Sequence, residues 1–235
     1  MKKCILLTAA LLLCTASLFA QTKPLTPYEY GHRWYFSFQG GGLIFNSDNC
    51  SRLFKEGRGH ELVSFGAGVA LGYNFSDAHG IRVFGNYSRK TGVCEAFEDP
   101  DADPKAAPIP TYTYRFSSTQ LFVDYVLNYN ALAENDNPFT AKSYIGPGFA
   151  YTFDFTDPGH PEVWLYDPNL VPCMNMGFIF EYDFKDAFGF FVDLGLSFYA
   201  ERYNGRVSMG FPVDMESSLQ VGLIYNFPLS KNRSW

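Results

Sequence analysis

Five charged residues stand within runs that are otherwise rich in apolar and aromatic residues: Arg82, Asp124, Lys142, Glu181 and Asp193. In a strand, side chains alternate between two faces, and these five fall on the face opposite the apolar one. If that face lines a narrow enclosed space, isolated charges are costly, so we expect them to pair as a salt-bridge network that plugs it. The alternative is the lining of a narrow ion path.

Histidine is the usual base for nucleophilic catalysis, and His60 and His160 lie in polar stretches where loops are expected. No serine stands in a recognisable relation to either, so the sequence favours solvated loop histidines and no enzymatic activity. Metal binding and other cofactors are not expected either, because the four histidines are scattered and no spacing resembles a zinc site. They are His32, His60, His79 and His160.

Cys50 and Cys94 lie in two stretches that read as long loops at the same end of the fold. In an oxidising compartment they could form a disulfide, and free thiols are the equal alternative. Cys173 has no evident partner.

Residues 1–20 have the pattern of a cleaved signal peptide, with Lys2 and Lys3 before an apolar run and a small-residue site ending at Ala20. Removing the two leader lysines leaves 16 basic against 24 acidic residues, a net charge of −8. This balance argues against nucleic acid as a partner. The remaining chain has no run of eighteen apolar residues, so spanning helices are not expected.

A two-residue alternation recurs along the rest of the chain. In 217–227, every second residue from Leu219 to Phe227 is apolar or aromatic, and the residues between them are polar or small apart from Ile224. The same period predicts eight strands, at about 33–46, 61–75, 81–89, 112–130, 139–155, 173–184, 188–199 and 217–227. Pro147 is expected to interrupt the ladder of the fifth strand.

The connections alternate between long and short. Long ones are expected at 47–60, 90–111, 156–170 and 201–216, which places all four at one end of an up-and-down arrangement. Small inward glycines, such as Gly72 and Gly148, are expected to face bulky rings including Phe122 and Tyr144.

The rows of apolar side chains on the outward face of the strands indicate whether the barrel is surrounded by water or by lipid. The central outward positions carry no charge, and the chain is 18% aromatic with 24 Phe and 16 Tyr. Such rows in water would promote aggregation. Tyr and Trp near strand ends match the aromatic girdles of membrane barrels. The inverse arrangement, with these rows inside a soluble barrel, needs more space than eight strands enclose.

Taken together, the leader, eight alternating strands, alternating loops and a closing strand ending in Phe227 resemble the small outer-membrane β-barrel family of Gram-negative bacteria, similar to the OmpA transmembrane domain. The resemblance covers about 33–227 and rests on pattern. It implies an all-β, eight-stranded antiparallel up-and-down transmembrane barrel in the outer membrane, contacting outer-membrane lipid and handled by the insertion machinery. In that family a terminal aromatic residue is read during insertion, and here Phe227 and Trp235 both remain candidates.

These observations divide the chain into a signal peptide (1–20), a lead-in (21–32), the barrel (33–227) and a tail (228–235). They favour a structural or surface-interaction role with an extracellular or envelope protein partner. A small porin-like passive channel is the alternative, and a lipid-modifying enzyme is a weaker one. Three basic residues of the first loop, Arg52, Lys55 and Arg58, either touch anionic headgroups or are simply solvated.

Overall fold

The computed structural model describes residues 33–46, 57–94, 112–133, 138–156, 169–185, 187–200, 203 and 213–227. The predicted leader, the lead-in and the tail therefore lie outside the described residues. Within the described part, no helix has both the length and the apolar character needed to cross a bilayer.

Eight antiparallel strands form one closed barrel in which every strand pairs with its neighbours in sequence and β1 also pairs with β8. Closure leaves no unpaired sheet edge. The predicted eight-stranded antiparallel up-and-down barrel is confirmed. The strands are β1 (Arg33–Asn46), β2 (Val63–Asn74), β3 (His79–Cys94), β4 (Tyr112–Asn128), β5 (Phe139–Thr156), β6 (Asn169–Lys185), β7 (Phe188–Ala200) and β8 (Val213–Asn226).

Several strands extend beyond the boundaries that the sequence predicts. β3 continues to Cys94 because its last residues pair with β4, for example Lys90 with Phe116. β8 begins at Val213, where the strand already pairs with β7, and Glu216 faces Ser197. The predicted start of the loop after β3 and the predicted end of the loop before β8 were therefore wrong, since polar residues there belong to the barrel.

Two short helices lie in those parts of the connections that the structure describes. The first is a 3-10 helix, Gly59–Leu62, which replaces the predicted start of the second strand. The second, α1 (Tyr129–Leu132), follows β4 and is capped by Asn128, whose side chain accepts a hydrogen bond from the Asn130 backbone N–H at 3.0 Å. This cap ends the fourth strand two residues before the predicted boundary.

The alternation divides the barrel into an apolar outer surface and a mixed interior. Outward side chains remain exposed along every strand, as Phe65 at 72% and Val221 at 61% show. Large inward rings pack over glycines: a Cβ added at Gly72 would overlap the Tyr35 ring, and one at Gly148 would overlap the Phe122 ring. Because these glycines have no side chain, they leave the space that the rings occupy in the lumen.

Pro147 lies on the outer face of β5 and affects only one of its two ladders. Pairing with β6 continues through Pro147 and Met174. On the β4 side, the pairs pass from Phe122 with Gly148 directly to Tyr125 with Ile145. Proline has no backbone N–H to donate, so the interruption falls where the sequence predicts it.

Candidate functional site in the barrel lumen

Arg82 lies between two carboxylates in the half of the lumen nearer the short turns. Its Nη2 and Nε atoms donate to Oδ2 of Asp124 at 2.7 and 3.0 Å. Its Nη1 lies 3.6 Å from Oδ2 of Asp193. All three side chains are buried. Because one guanidinium serves two carboxylates, this group, called the Arg82 cluster below, carries one formal negative charge in excess.

Neutral groups surround the Arg82 cluster and hold Asp193 in particular. The Tyr144 hydroxyl donates to Asp193 Oδ1 at 2.7 Å, and Gln39 Nε2 donates to Asp193 Oδ2 at 3.2 Å. The Tyr144 ring also lies under the guanidinium, with Arg82 Cζ 4.1 Å from its centroid. Among the described residues, Oδ1 of Asp124 has no hydrogen-bond partner.

A second ion pair lies closer to the short-turn end. Lys142 Nζ donates to Glu181 Oε2 at 2.6 Å, and both side chains are largely buried. Next to them is a small cavity, partly lined by Tyr35, Ile179 and Ile224, with room for about one water molecule. The five charges predicted from the sequence thus lie together in the lumen as two units, the Arg82 cluster and the Lys142–Glu181 pair.

A third buried pair, near the long-loop end, joins Lys90 of β3 to Glu216 of β8. Two tyrosine rings cover it. Tyr199 of β7 and Tyr203, which follows β7, stack with centroids 3.8 Å apart and planes 6° from parallel. Lys90 Nζ donates to the Tyr203 hydroxyl and, at 3.3 Å, to that of Tyr199. These four residues are called the Lys90 cluster below.

Further hydrogen bonds connect the members of the Lys90 cluster to neighbouring side chains. Gln120 Nε2 donates to the hydroxyls of Tyr199 and Tyr203 at 2.8 and 3.0 Å. Those hydroxyls in turn donate to Glu216 Oε1 at 3.3 Å and to Ser118 Oγ at 2.7 Å. The Lys90 ammonium thus donates to two hydroxyls and forms an ion pair with Glu216, as burial of a charge requires. Burial also raises the pKa of the Tyr203 phenol, so it remains a neutral donor.

The sequence reasoning missed the Lys90 cluster because it ended the third strand at 89 and began the eighth at 217. One signal was present: Lys90 continues the inward alternation of Arg82, Phe84, Asn86 and Ser88. Glu216 likewise continues the series of Ser218 and Gln220. No comparable signal exists for Tyr203, since it lies beyond the end of β7 and periodicity does not apply there.

The remaining sequence candidates lie elsewhere or outside the described residues. His60 lies in the 3-10 helix, and His79 lies at the short-turn end, within hydrogen-bond distance of the Tyr125 hydroxyl. Cys173 is buried and free. Across the described ranges there is no group of three or more His, Cys, Asp or Glu that suits a metal ion. His32, His160, Cys50, Arg52, Lys55 and the side chain of Cys94 fall outside the described residues.

Arg58 is described, and it is engaged by Glu61 in a bidentate pair at 2.7 and 2.9 Å. The Arg58 guanidinium lowers the pKa of the Glu61 carboxyl. Of the three basic residues in the first loop, this one therefore already has a counter-ion.

No protein-family model matches the sequence, and no curated protein matches it. Among solved structures, the chain is similar to Neisserial surface protein A, at 12% identity and a TM-score of 0.47, covering 83% of this chain and 97% of that one. It is also similar to a major outer membrane protein from Thermus thermophilus, at 13% identity, a TM-score of 0.49 and coverages of 83% and 99%. A third is Ail, the attachment invasion locus protein of Yersinia pestis, at 13% identity, a TM-score of 0.43 and coverages of 84% and 99%.

The fold of this chain is a closed up-and-down barrel of eight antiparallel strands, which its own ladder shows. What the lumen does must be argued from its own side chains. In the described part of the chain, four ion pairs around three cations, together with two stacked rings, cross it. Such an interior can brace the barrel and block the passage of solutes.

Proposed function

We propose that this protein is an outer-membrane β-barrel whose lumen is closed by side chains and whose role is structural or interactive, exerted through its long connections. The outer surface supports the location. Exposed apolar side chains cover the central part of every strand, and this continuous area far exceeds what a monomeric protein keeps in water. A hydrocarbon solvent accounts for it.

The proposal of a closed lumen rests on two layers of buried side chains that lie across it, the Arg82 cluster and the stacked rings of Tyr199 and Tyr203. The Arg82 cluster joins β3, β4 and β7, whereas the stacked rings come from β7 and the connection after it and reach Lys90 of β3. The members of both layers are almost fully buried. An ion following the barrel axis would have to separate both layers. A small passive channel is therefore the alternative outcome of the test and not the function proposed.

In this proposal the leader is cleaved near Ala20 and the insertion machinery delivers the barrel to the outer membrane. The long connections then face outward at 47–62, 95–111, 157–168 and 201–212, where an extracellular or envelope protein would meet them. The apolar outer surface contacts lipid. Neither a catalytic step nor a cofactor forms part of the proposal, and the net charge of −8 disfavours nucleic acid.

Two measurements test the proposal. The refolded chain in phospholipid vesicles should resist extraction by alkaline carbonate and should migrate faster in unheated than in boiled gel samples. Full extraction into the aqueous phase would refute the membrane location.

Planar-bilayer recording then separates a closed lumen from a channel. We expect no steady current at moderate voltage. A steady conductance that disappears when the charge of Asp124 or Glu181 is reversed would replace the structural role with that of a channel.

A further inference from the structure

Two arginines lie on the outer surface of the barrel at the long-loop end: Arg89 of β3 and Arg115 of β4. Both side chains point outward and are exposed. Their strands are neighbours, and Arg89 pairs with Ser117 while Thr91 pairs with Arg115. The two arginines are therefore diagonal across adjacent strands, about 7–8 Å apart at the backbone. Two guanidinium groups at this separation can close on one phosphate.

The height of the arginines follows from the outward order of residues along each strand. On β3 the order is Ile81, Val83, Gly85, Tyr87 and then Arg89. Because the strands of a barrel are tilted relative to its axis, β3 rises about 20 Å along that axis from Ile81 to Arg89. An apolar band of about 25 Å flanked by aromatic residues is what a bilayer requires. Arg89 thus falls where hydrocarbon gives way to headgroups.

The neighbouring strand repeats the order. From the short-turn end, β4 presents Tyr125, Val123, Leu121 and Thr119 before reaching Arg115. Aromatic rings lie just below the two arginines, with the rings of Tyr87 and Phe153 6.5 Å apart and those of Tyr151 and Phe153 stacked at 5.6 Å. This patch, made of Arg89, Arg115, Tyr87, Tyr151 and Phe153, has a basic upper edge and an apolar lower one.

Neither arginine has an ionic partner among the described residues. By contrast, Arg58 is bonded to Glu61, and the lumenal residues Arg82, Lys90 and Lys142 are each held by carboxylates. Asp154 on β5 is exposed at the same end, but no ion pair joins it to either arginine in the described part of the chain. Two unpaired cations side by side repel each other unless an anion lies between them.

We infer that Arg89 and Arg115 bind a phosphate group of an anionic lipid in the outer leaflet, whose acyl chains pack on Tyr87, Tyr151 and Phe153. The inference rests on the proposed function, because it requires the long-loop end to face outward in a membrane. The guanidinium groups supply forked donors to phosphate oxygens, and the rings supply a surface for hydrocarbon. Charge complementarity commits the patch to a phosphorylated lipid.

The test uses the full chain refolded in dodecyl maltoside micelles, with diphosphoryl lipid A as the probe and native mass spectrometry as the readout. The double variant R89Q/R115Q should bind the probe about thirtyfold more weakly than the parent. Each arginine near an anionic surface contributes a similar factor to the affinity, and the two factors multiply. R58Q is the matched control, because it removes an arginine from the same end whose charge Glu61 already neutralises. It should bind like the parent.

Three results would overturn the inference: unchanged affinity in R89Q/R115Q, equal binding of lipid A stripped of both phosphates, or full competition by inorganic phosphate, which would make the site one for free anion. The gel-mobility measurement on the same samples keeps the two proposals apart. If the parent does not insert, the proposed function fails. If parent and double variant both insert and bind alike, only the lipid site fails.

Discussion

Lys90 near the long-loop end of the lumen and Arg82 nearer the short turns are both buried cations, yet they face different numbers of carboxylates. Within the described ranges, Glu216 is the one carboxylate that pairs with Lys90, and the ammonium also donates to two tyrosine hydroxyls. Arg82 has Asp124 and Asp193. The Lys90 cluster is thus balanced in charge and depends on every member, whereas the Arg82 cluster holds one carboxylate more than its cation can neutralise.

A second difference concerns the origin of the groups. Strands supply all members of the Arg82 cluster, whereas Tyr203 of the Lys90 cluster comes from the connection after β7. The long-loop layer is therefore tied to the conformation of a connection, and the other layer is fixed by the barrel alone. The expected effects of substitution should reflect both differences.

The largest effect is expected for Glu216→Gln, which keeps the shape but removes the carboxylate that, among the described residues, alone pairs with buried Lys90. Leaving a buried cation uncompensated should lower the free energy of unfolding by about 3 kcal/mol. Urea unfolding of the barrel in phospholipid vesicles, followed by tryptophan fluorescence, measures it. The paired change Lys90→Met with Glu216→Leu should recover most of the loss. A single variant as stable as the parent would contradict the pairing.

Tyr203→Ala should come next, at about 3 kcal/mol or slightly less, because a buried ring and its stacking on Tyr199 are lost. Unfolding in vesicles gives the value, and Tyr203→Phe, which keeps the ring, should lose only about 1 kcal/mol. Planar-bilayer recording of Tyr203→Ala should still show no steady current, since the Arg82 cluster remains. A steady current would mean that the long-loop layer alone closes the lumen.

A smaller effect is expected for Asp193→Asn, about 1 kcal/mol or less, because Arg82 keeps Asp124 and the asparagine carbonyl can still accept from Tyr144. Asp124→Asn should cost more, since Asp124 accepts two bonds from Arg82. The same unfolding measurement ranks the two. If Asp193→Asn destabilised the barrel as strongly as Glu216→Gln, the difference in charge balance between the layers would have no effect on the free energy of unfolding.

The smallest effect is expected at the partly exposed pair Arg58–Glu61. The pKa of Glu61 is lowered in the folded protein, so the pair stabilises above the unfolded pKa of the carboxyl. That stability is lost as the pH falls through the lower folded pKa. Because solvent screens the pair, Arg58→Gln should leave the unfolding free energy at neutral pH unchanged within error. A loss comparable to that of Asp193→Asn would contradict the contrast between surface and lumen.

The sequence was sufficient to predict on which face of a strand each side chain lies. The alternation around Val69, Val83 and Val221 shows this, because a period of two places successive side chains in the lumen and on the exterior in turn. It also assigned Arg82, Asp124 and Asp193 to one face. It did not reveal that Arg82 is shared between the two carboxylates, since that depends on the pairing register between β3 and β4 and on how the barrel closes.

By itself, the sequence determined the eight strands, their antiparallel succession and the apolar outer surface, because these depend on local period and composition. Tertiary structure alone decided that Lys90 meets Glu216 and that Tyr203 enters the lumen to stack on Tyr199. Lys90 and Tyr203 are 113 positions apart, and contacts over such separations exist only once the barrel closes. The pairing of charges inside it is therefore a property of the closed barrel and not of any single strand.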